Sequence, residues 1–316
     1  MLYITEDDVI RVLKMSDAVS LVERGLVDRA RRLAVDVPRE RARTPQGALN
    51  ILQGAAPLAG VVGYKAYYVT PHGSHSHIYL YDADGGVPLA ILEASHFNVV
   101  RTGAASGAAT RHLARGNAAV VGQIGAGRMG AGQLEAVCAV RPVRSARVYS
   151  RTGDKLQAFC RMMSEKLGIE VMPAGSAETA VRGADIVNVI TQSSTPVLLG
   201  AWIDPGQHVN AAGSNALSRR ELDMAAMRRC ELIVVDSRET ARKECGDILP
   251  LVEAGLAYWD ALPEIGEIAA GLRPGRTSDG QVTLYESHGM AIQDLYVAAK
   301  VIELARAQGL GRKIAG

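Results

Sequence analysis

Aromatic residues are scarce in this chain: 2 Trp, 10 Tyr and 2 Phe amount to 4% of 316 residues. With no aromatics interleaved among basic residues there is no stacking platform for nucleic acid, and a net charge of +2 offers neither a basic footprint nor an acidic tail. Cysteine is sparse as well. Cys138, Cys160, Cys230 and Cys245 are scattered and form no C-x-x-C pair, which argues against a disulfide framework and reads as reduced thiols. No uncharged run reaches the roughly 18 residues of a membrane span. The opening Met1-Leu-Tyr-Ile-Thr-Glu-Asp-Asp8 lacks the basic start and apolar stretch of a secretory leader. These absences predict a cytoplasmic protein with neither nucleic acid nor membrane as partner. Internal repeats, low-complexity tracts and long linkers are also missing.

What is present is a hydrophobic content of 48%, enough in a chain of this length for about two domains with cores of their own. Thr5-Glu-Asp-Asp8 and Ser16-Asp17 read as caps of two helices, the second carrying Val19, Val22 and Leu26 at helical spacing. From about Pro38 to Pro88 the pattern alternates and is punctuated by turns such as Asp82-Ala-Asp-Gly-Gly86, which predicts an antiparallel sheet. The small-residue stretch 101–115 predicts a helix, and Gly116-Asn117 closes the first domain. From Ala118 onward strands alternate with helices, as in a parallel, doubly wound sheet. A closing helix from Ala291 to Ala307 is expected to return to the first domain. The fold class is therefore α/β: a Rossmann domain over 118–290, and an α+β domain from both chain ends, 1–117 and 291–316.

The most specific local signal is the apolar run Ala118-Ala-Val-Val-Gly-Gln-Ile124 entering Gly125-Ala-Gly-Arg-Met-Gly130. A buried strand that feeds such a turn and then a helix builds a cradle for a dinucleotide pyrophosphate. Gly125 permits the turn, Gly127 admits the phosphates, and Gly130 lets the helix pack on the strand. Ala126, Arg128 and Met129 complete the expected cofactor segment, and Thr191, after a later strand, is an expected nicotinamide contact. At the end of the second strand, where an NAD-selective domain carries a carboxylate, this chain has Ser150, Arg151 and Thr152. A planar guanidinium beside two hydroxyls suits a ribose phosphate, so NADP(H) is expected over NAD(H), with Asp154 nearby as an opposing charge.

Several distinctive blocks follow one another in order along the whole chain: Pro38-Arg39, Gly63-Tyr-Lys65, Arg101-Thr-Gly-Ala-Ala-Ser106, Ile124-Gly-Ala-Gly127, Gly213-Ser-Asn215, Arg220-Glu-Leu-Asp223, Gly246-Asp247, Val282-Thr-Leu-Tyr285 and Gly289-Met-Ala-Ile-Gln-Asp-Leu295. In these the chain resembles the ornithine cyclodeaminase/mu-crystallin family. The resemblance implies a homodimer, a substrate-binding and dimerising sheet domain, and a Rossmann domain presenting nicotinamide across a cleft. It also makes Arg39, Lys65 and Arg101 substrate residues. Two guanidiniums can clamp an α-carboxylate and a lysine can hold or protonate an imine nitrogen. The strand period sets Lys65 on the face opposite Tyr64 and Ala66.

Where cyclising members of the family carry acidic residues, this chain has Asn215 and Asn50. An amide cannot take up a proton at neutral pH, nor offset a second ammonium group. The expected reaction is therefore NADPH-dependent reduction of a small cyclic ketimine carboxylate, 1-pyrroline-2-carboxylate or 1-piperideine-2-carboxylate, with Lys65 and Asn215 as catalytic groups and Asn50 beside the substrate. The alternatives are ornithine cyclodeaminase, which makes proline and ammonia with bound NAD, an opine or alanine dehydrogenase, and a non-catalytic NADPH carrier of the mu-crystallin kind. No metal is expected. His72, His75 and His77 have no carboxylate or cysteine at a ligand spacing. His288 reads as a structural histidine and Asp247 as a helix cap or a position at the cofactor domain's edge.

Overall fold

This computed structural model describes residues 1–314, and the chain divides into two compact units. The first comprises Met1–Arg101 and the segment from Gly289 onward; the second is Thr102–His288. The sequence reading placed the crossings at 117/118 and 290/291. A continuous helix, Ser95–Leu113, runs through the first crossing, so no break in local pattern marks it.

The first unit is built on a seven-stranded sheet. Its centre is an antiparallel meander of Val35–Thr44, Gly47–Ala56, Val61–Thr70, Gly73–Asp82 and Pro88–Glu93. Leu2–Ile4 extends the edge parallel to Pro88–Glu93, and Arg312–Lys313 pairs beyond it. The period of two puts Leu52, Lys65, Ile78, Leu80 and Leu92 on one buried face. Helix Ala291–Ala307, buried along most of its length, packs on that face, and helix Met15–Ala30 packs against helix Ala291–Ala307. Thr5 caps the first helix in a capping box with Asp8, as its sequence indicates. The second helix differs from expectation: it starts at Met15 after Lys14, without a side-chain cap, and Asp17 sits in the first turn facing the helix dipole.

The second unit holds a wholly parallel seven-stranded sheet in the order Leu232–Val235, Thr283–Glu286, His208–Ala211, Ile186–Val189, Val120–Ile124, Ser145–Tyr149, Glu170–Pro173. The strand order reverses beside Val120–Ile124, and in doubly wound sheets ligands bind at that point, beyond the strands' C-terminal ends. The central strands are not purely apolar. Gln123, Asn188, Asn210 and His208 form a buried chain: Asn188 donates to Gln123 (3.3 Å), Asn210 donates to Asn188 (3.1 Å), and His208 Nε2 lies 3.1 Å from Asn210 Oδ1. Burial drives the His208 imidazole down to about 3, so the ring is neutral. At the far end Gln123 Nε2 donates to the Gly125 carbonyl at 2.9 Å, tying this network to the glycine turn. Among the described residues no helix is long and apolar enough to cross a membrane.

Candidate active site

In the second unit, the turn after Val120–Ile124 opens into a cavity of about 330 Å³ lined by Gly125, Ala126, Gly127, Tyr149, Ser150, Arg151, Ile190, Thr191 and Ser193, among others. Gly125 has φ +118°, a conformation a side chain rarely adopts, and its turn is closed by a 2.9 Å bond from its N–H to the Tyr149 carbonyl. A Cβ at Gly127 would meet nothing within 4 Å, leaving open space where a pyrophosphate would approach the backbone. Gly127 caps helix Arg128–Cys138 with no side-chain hydrogen bond, so the first amides of that helix are not satisfied by a cap. Gly130 faces inward, where a Cβ would fall 2.5 Å from the Gly125 carbonyl and 2.9 Å from Gln123 Nε2. Arg128, Met129, Gly130, Thr152 and Asn215 are outside the residues lining the cavity. No carboxylate lines it, and Arg151 does. The donor set fits a dinucleotide.

The floor of this cavity is fixed by a residue whose role the sequence did not reveal. Glu221 is fully buried, and its Oε1 accepts from the Thr191 N–H and hydroxyl (both 2.6 Å), while Oε2 accepts from the Gly213 N–H (2.8 Å). It thereby joins the loops beyond Ile186–Val189 and His208–Ala211. Burial pushes its carboxyl up to about 7, against the pull of the Thr191 and Gly213 donors. Asp247 in turn accepts from the backbone N–H of Glu221 and Leu222, both at 2.7 Å. Asp247 is thus a buried loop anchor, not a helix cap.

In the first unit, Arg39, Lys65 and Arg101 are all buried and gather near the start of helix Ala291–Ala307. A Cβ at Gly289 would lie 2.8 Å from Arg101 Nη1 and 3.4 Å from Arg39 Nη2, and Gly289 itself has φ +84°. Only glycine serves there: the backbone is left-handed and two guanidiniums occupy the space. Between the cations stands Asp294, fully buried and missed by the sequence reading. Its Oδ1 lies 2.9 Å from Lys65 Nζ and 2.8 Å from Arg101 Nε, and its Oδ2 lies 2.8 Å from Lys65 Nζ. Gln293 accepts from Arg101 Nη1 at 3.2 Å. Burial, reinforced by Arg101 and opposed by Asp294, brings the Lys65 ammonium down to about 7. The available hint was a carboxylate in the first turn of a helix whose first nine residues carry no other charge.

Asn50 shares the Lys65 face and is equally buried. Its Oδ1 accepts from Arg41 Nε and its amide donates to the Ala48 carbonyl, both at 3.0 Å, so it is held as an amide between fixed partners. The histidines separate. His72 lies in the turn before strand Gly73–Asp82, and His75 and His77 project from that strand's outer face. Among the described residues none of these three belongs to a metal-ligand group. His288 is buried, and its backbone N–H donates to Asp236 at 2.7 Å.

The ornithine cyclodeaminase/mu-crystallin family matches residues 5–309. A Delta(1)-pyrroline-2-carboxylate reductase from Bacillus cereus is 36% identical over 277 residues, covering 85% of each chain. The solved structure of Thermococcus litoralis Delta(1)-pyrroline-2-carboxylate reductase with NADH and L-proline superposes with a TM-score of 0.95, at 32% identity over 99% of this chain and 100% of that one. An archaeal alanine dehydrogenase dimer with bound NAD gives a TM-score of 0.93 at 31% identity, covering 100% of this chain and 99% of that one. With a dinucleotide cradle in one unit and a buried cluster of arginines and a lysine in the other, the chain belongs to the ornithine cyclodeaminase/mu-crystallin family and is an NAD(P)-dependent oxidoreductase within it.

Proposed function

We propose that this enzyme is an imine reductase that converts a small cyclic ketimine carboxylate, 1-pyrroline-2-carboxylate or 1-piperideine-2-carboxylate, into the cyclic amino acid with NADPH. The observation that carries the reading is the buried cluster of Arg39, Lys65 and Arg101 gathered with the carboxylate of Asp294. Asp294 is already shared between Lys65 and Arg101, and the planar guanidiniums beside it suit the carboxylate of a substrate. A lysine near 7 is a far better acid than an ordinary amine, so it can give a proton to a ring nitrogen at neutral pH.

The chemistry requires one hydride at C2 and one proton at nitrogen. A bound reduced nicotinamide supplies the hydride. Arg39 and Arg101 hold the carboxylate and so fix the plane of the C=N bond, while Lys65 Nζ donates its proton to the nitrogen as the double bond becomes single. Lys65 is left neutral and recovers a proton from solvent, with Asp294 keeping it oriented. The reverse reaction, oxidation of the cyclic amino acid, uses neutral Lys65 as the base. Deamination of ornithine is disfavoured because Asn50 and Asn215 stand where that chemistry uses acids, and Asp294 is committed to two cations.

The NADPH preference is supported by Arg151 and Ser150 at the cavity wall and by the lack of a carboxylate among the lining residues. A homodimer is supported by the outer face of the first unit's sheet, where Leu49, Ile51, Val62 and Tyr68 are more than a third exposed beside the stacked Tyr64–Tyr79 pair. Sedimentation at the monomer mass would remove that assignment. Four unpaired cysteines suit a reducing compartment, and we place the enzyme in the cytoplasm.

The test is steady-state oxidation of NADPH and of NADH with each cyclic imine, for the wild type and Arg151→Ala. Both imines or one should support turnover, with NADPH favoured. Arg151→Ala should cut that preference by about tenfold, the loss of one to two charge-assisted hydrogen bonds. Turnover of neither imine sinks the function, and an unchanged coenzyme ratio in the variant sinks the role of Arg151.

A further inference from the structure

A second buried cluster, in the Rossmann unit, has no part in the reaction above. Cys245 follows helix Arg238–Glu244, Glu286 ends strand Thr283–Glu286, and His288 lies two residues on. One donor atom from each lies within 4.8 Å of the others, and all three residues are buried. Two segments some forty residues apart in sequence, one carrying Cys245 and the other Glu286 and His288, thus deliver a sulfur, a carboxylate oxygen and an imidazole nitrogen to one point.

Carboxylates crowd the cluster, with Asp247, Glu221 and Asp236 all acting on Glu286. Glu286 and Cys245 touch each other, yet Glu286 Oε1 is buried without a hydrogen-bond partner, and so is Asp247 Oδ2. Buried carboxylate oxygens are almost always satisfied, so these two are exceptions that need a cause. Asp236 adds a further carboxylate, with its Oδ1 3.5 Å from His288 Nδ1. That is the position of an outer carboxylate that orients a metal-binding imidazole. Burial and the Glu286 and Asp247 carboxylates push the Cys245 thiol up, a cost that a cation beside the sulfur would offset, while the backbone N–H groups of Ile248 and Asp247 face the sulfur.

We propose that Cys245, Glu286 and His288 form a binding site for a zinc-class divalent cation. The donor set decides the class. A thiolate with an imidazole and one carboxylate selects a borderline-soft, tetrahedral ion, whereas magnesium and calcium require shells of oxygen. Three protein donors leave the fourth position for a further oxygen. The ion ties the end of strand Thr283–Glu286 to the helix that precedes Asp247, the residue that anchors Glu221 and through it the loops at Thr191 and Gly213. Its role is to brace the cofactor unit, and the reaction at Lys65 does not pass through it.

The experiment uses the full-length protein, stripped with a chelator and titrated with Co²⁺ and then Zn²⁺. One equivalent of Co²⁺ should give a thiolate-to-cobalt charge-transfer band and tetrahedral d–d bands, which Zn²⁺ displaces while raising the Tm. Cys245→Ser should lose the charge-transfer band, and the near-isosteric Glu286→Gln should bind at least about tenfold more weakly. A protein with His75→Ala and His77→Ala should keep both bands. Circular dichroism checks that each variant folds, and the wild-type spectrum decides alone if one does not. No band at one equivalent, or a band that survives Cys245→Ser, overturns the site.

Discussion

Replacing Lys65 by Met should lower kcat for imine reduction by about 10²–10⁴-fold, the span usual for loss of a positioned general acid. The variant should still fold. Methionine retains the apolar stem that is packed beside Leu52 and Ile78, and Asp294 keeps its 2.8 Å pair with Arg101. A charge that burial already disfavours is removed, so the Tm should hold or rise. The pH profile separates an acid from a mere binding residue. Reduction needs protonated Lys65, so its rate should be highest below about pH 7 and fall tenfold per unit above it. Oxidation of the cyclic amino acid needs the neutral amine and should rise through the same pH. Lys65→Met should abolish both limbs. A wild-type profile flat through pH 7 in both directions would remove Lys65 as the proton donor.

Asp294→Asn should be the most damaging isosteric change in the substrate unit. The carboxylate is fully buried between Lys65 and Arg101, which are themselves at most 9% exposed. Removing one partner of a buried ion pair leaves charge uncompensated, at a cost of about 3–5 kcal/mol. The lower end applies here because Lys65 can shed its proton when Arg101 cannot. A loss on this scale corresponds to a fall in Tm on the order of 5–10 °C for a chain of this size. The sign of the activity change follows from the same electrostatics. Asp294 raises the Lys65 pKa, so its loss should lower that pKa further and move the falling limb of imine reduction to lower pH. Differential scanning calorimetry and the pH–rate profile measure the two effects. An unchanged Tm with an unchanged limb would show that Asp294 neither stabilises nor tunes the cluster.

The cofactor turn was legible in the sequence because its physics is local. Gly125 needs a positive φ, Gly127 needs space, and both requirements are written within six residues of a strand end. Lys65 could be placed on the correct face because strand period alone decides it. Asp294 could not be matched to Lys65, since 229 positions separate them and helix Ala291–Ala307 gives no sign of which strand it will cover. Glu221 and Asp247 were hidden for the same reason. Their partners are backbone amides of other loops, which leave no trace in side-chain pattern. Cys245 reads singly as a reduced thiol and His288 as a structural histidine, nothing local singles out Glu286, and only the fold brings the three together. The start of the second helix was misplaced because Ser16 and Asp17 are good cap residues, but packing of Met15 and Ala18 set the boundary instead.

The central claim is that a preformed C=N bond is reduced directly in the cationic pocket. Its most direct measurement is hydride tracing with reduced coenzyme deuterated at nicotinamide C4 and 1-pyrroline-2-carboxylate or 1-piperideine-2-carboxylate as acceptor. The product should carry one deuterium, at C2, with one coenzyme oxidised per product formed, and ornithine with catalytic oxidised coenzyme should release no ammonia. Product without label at C2, or proline and ammonia from ornithine with no net change in coenzyme, would contradict it.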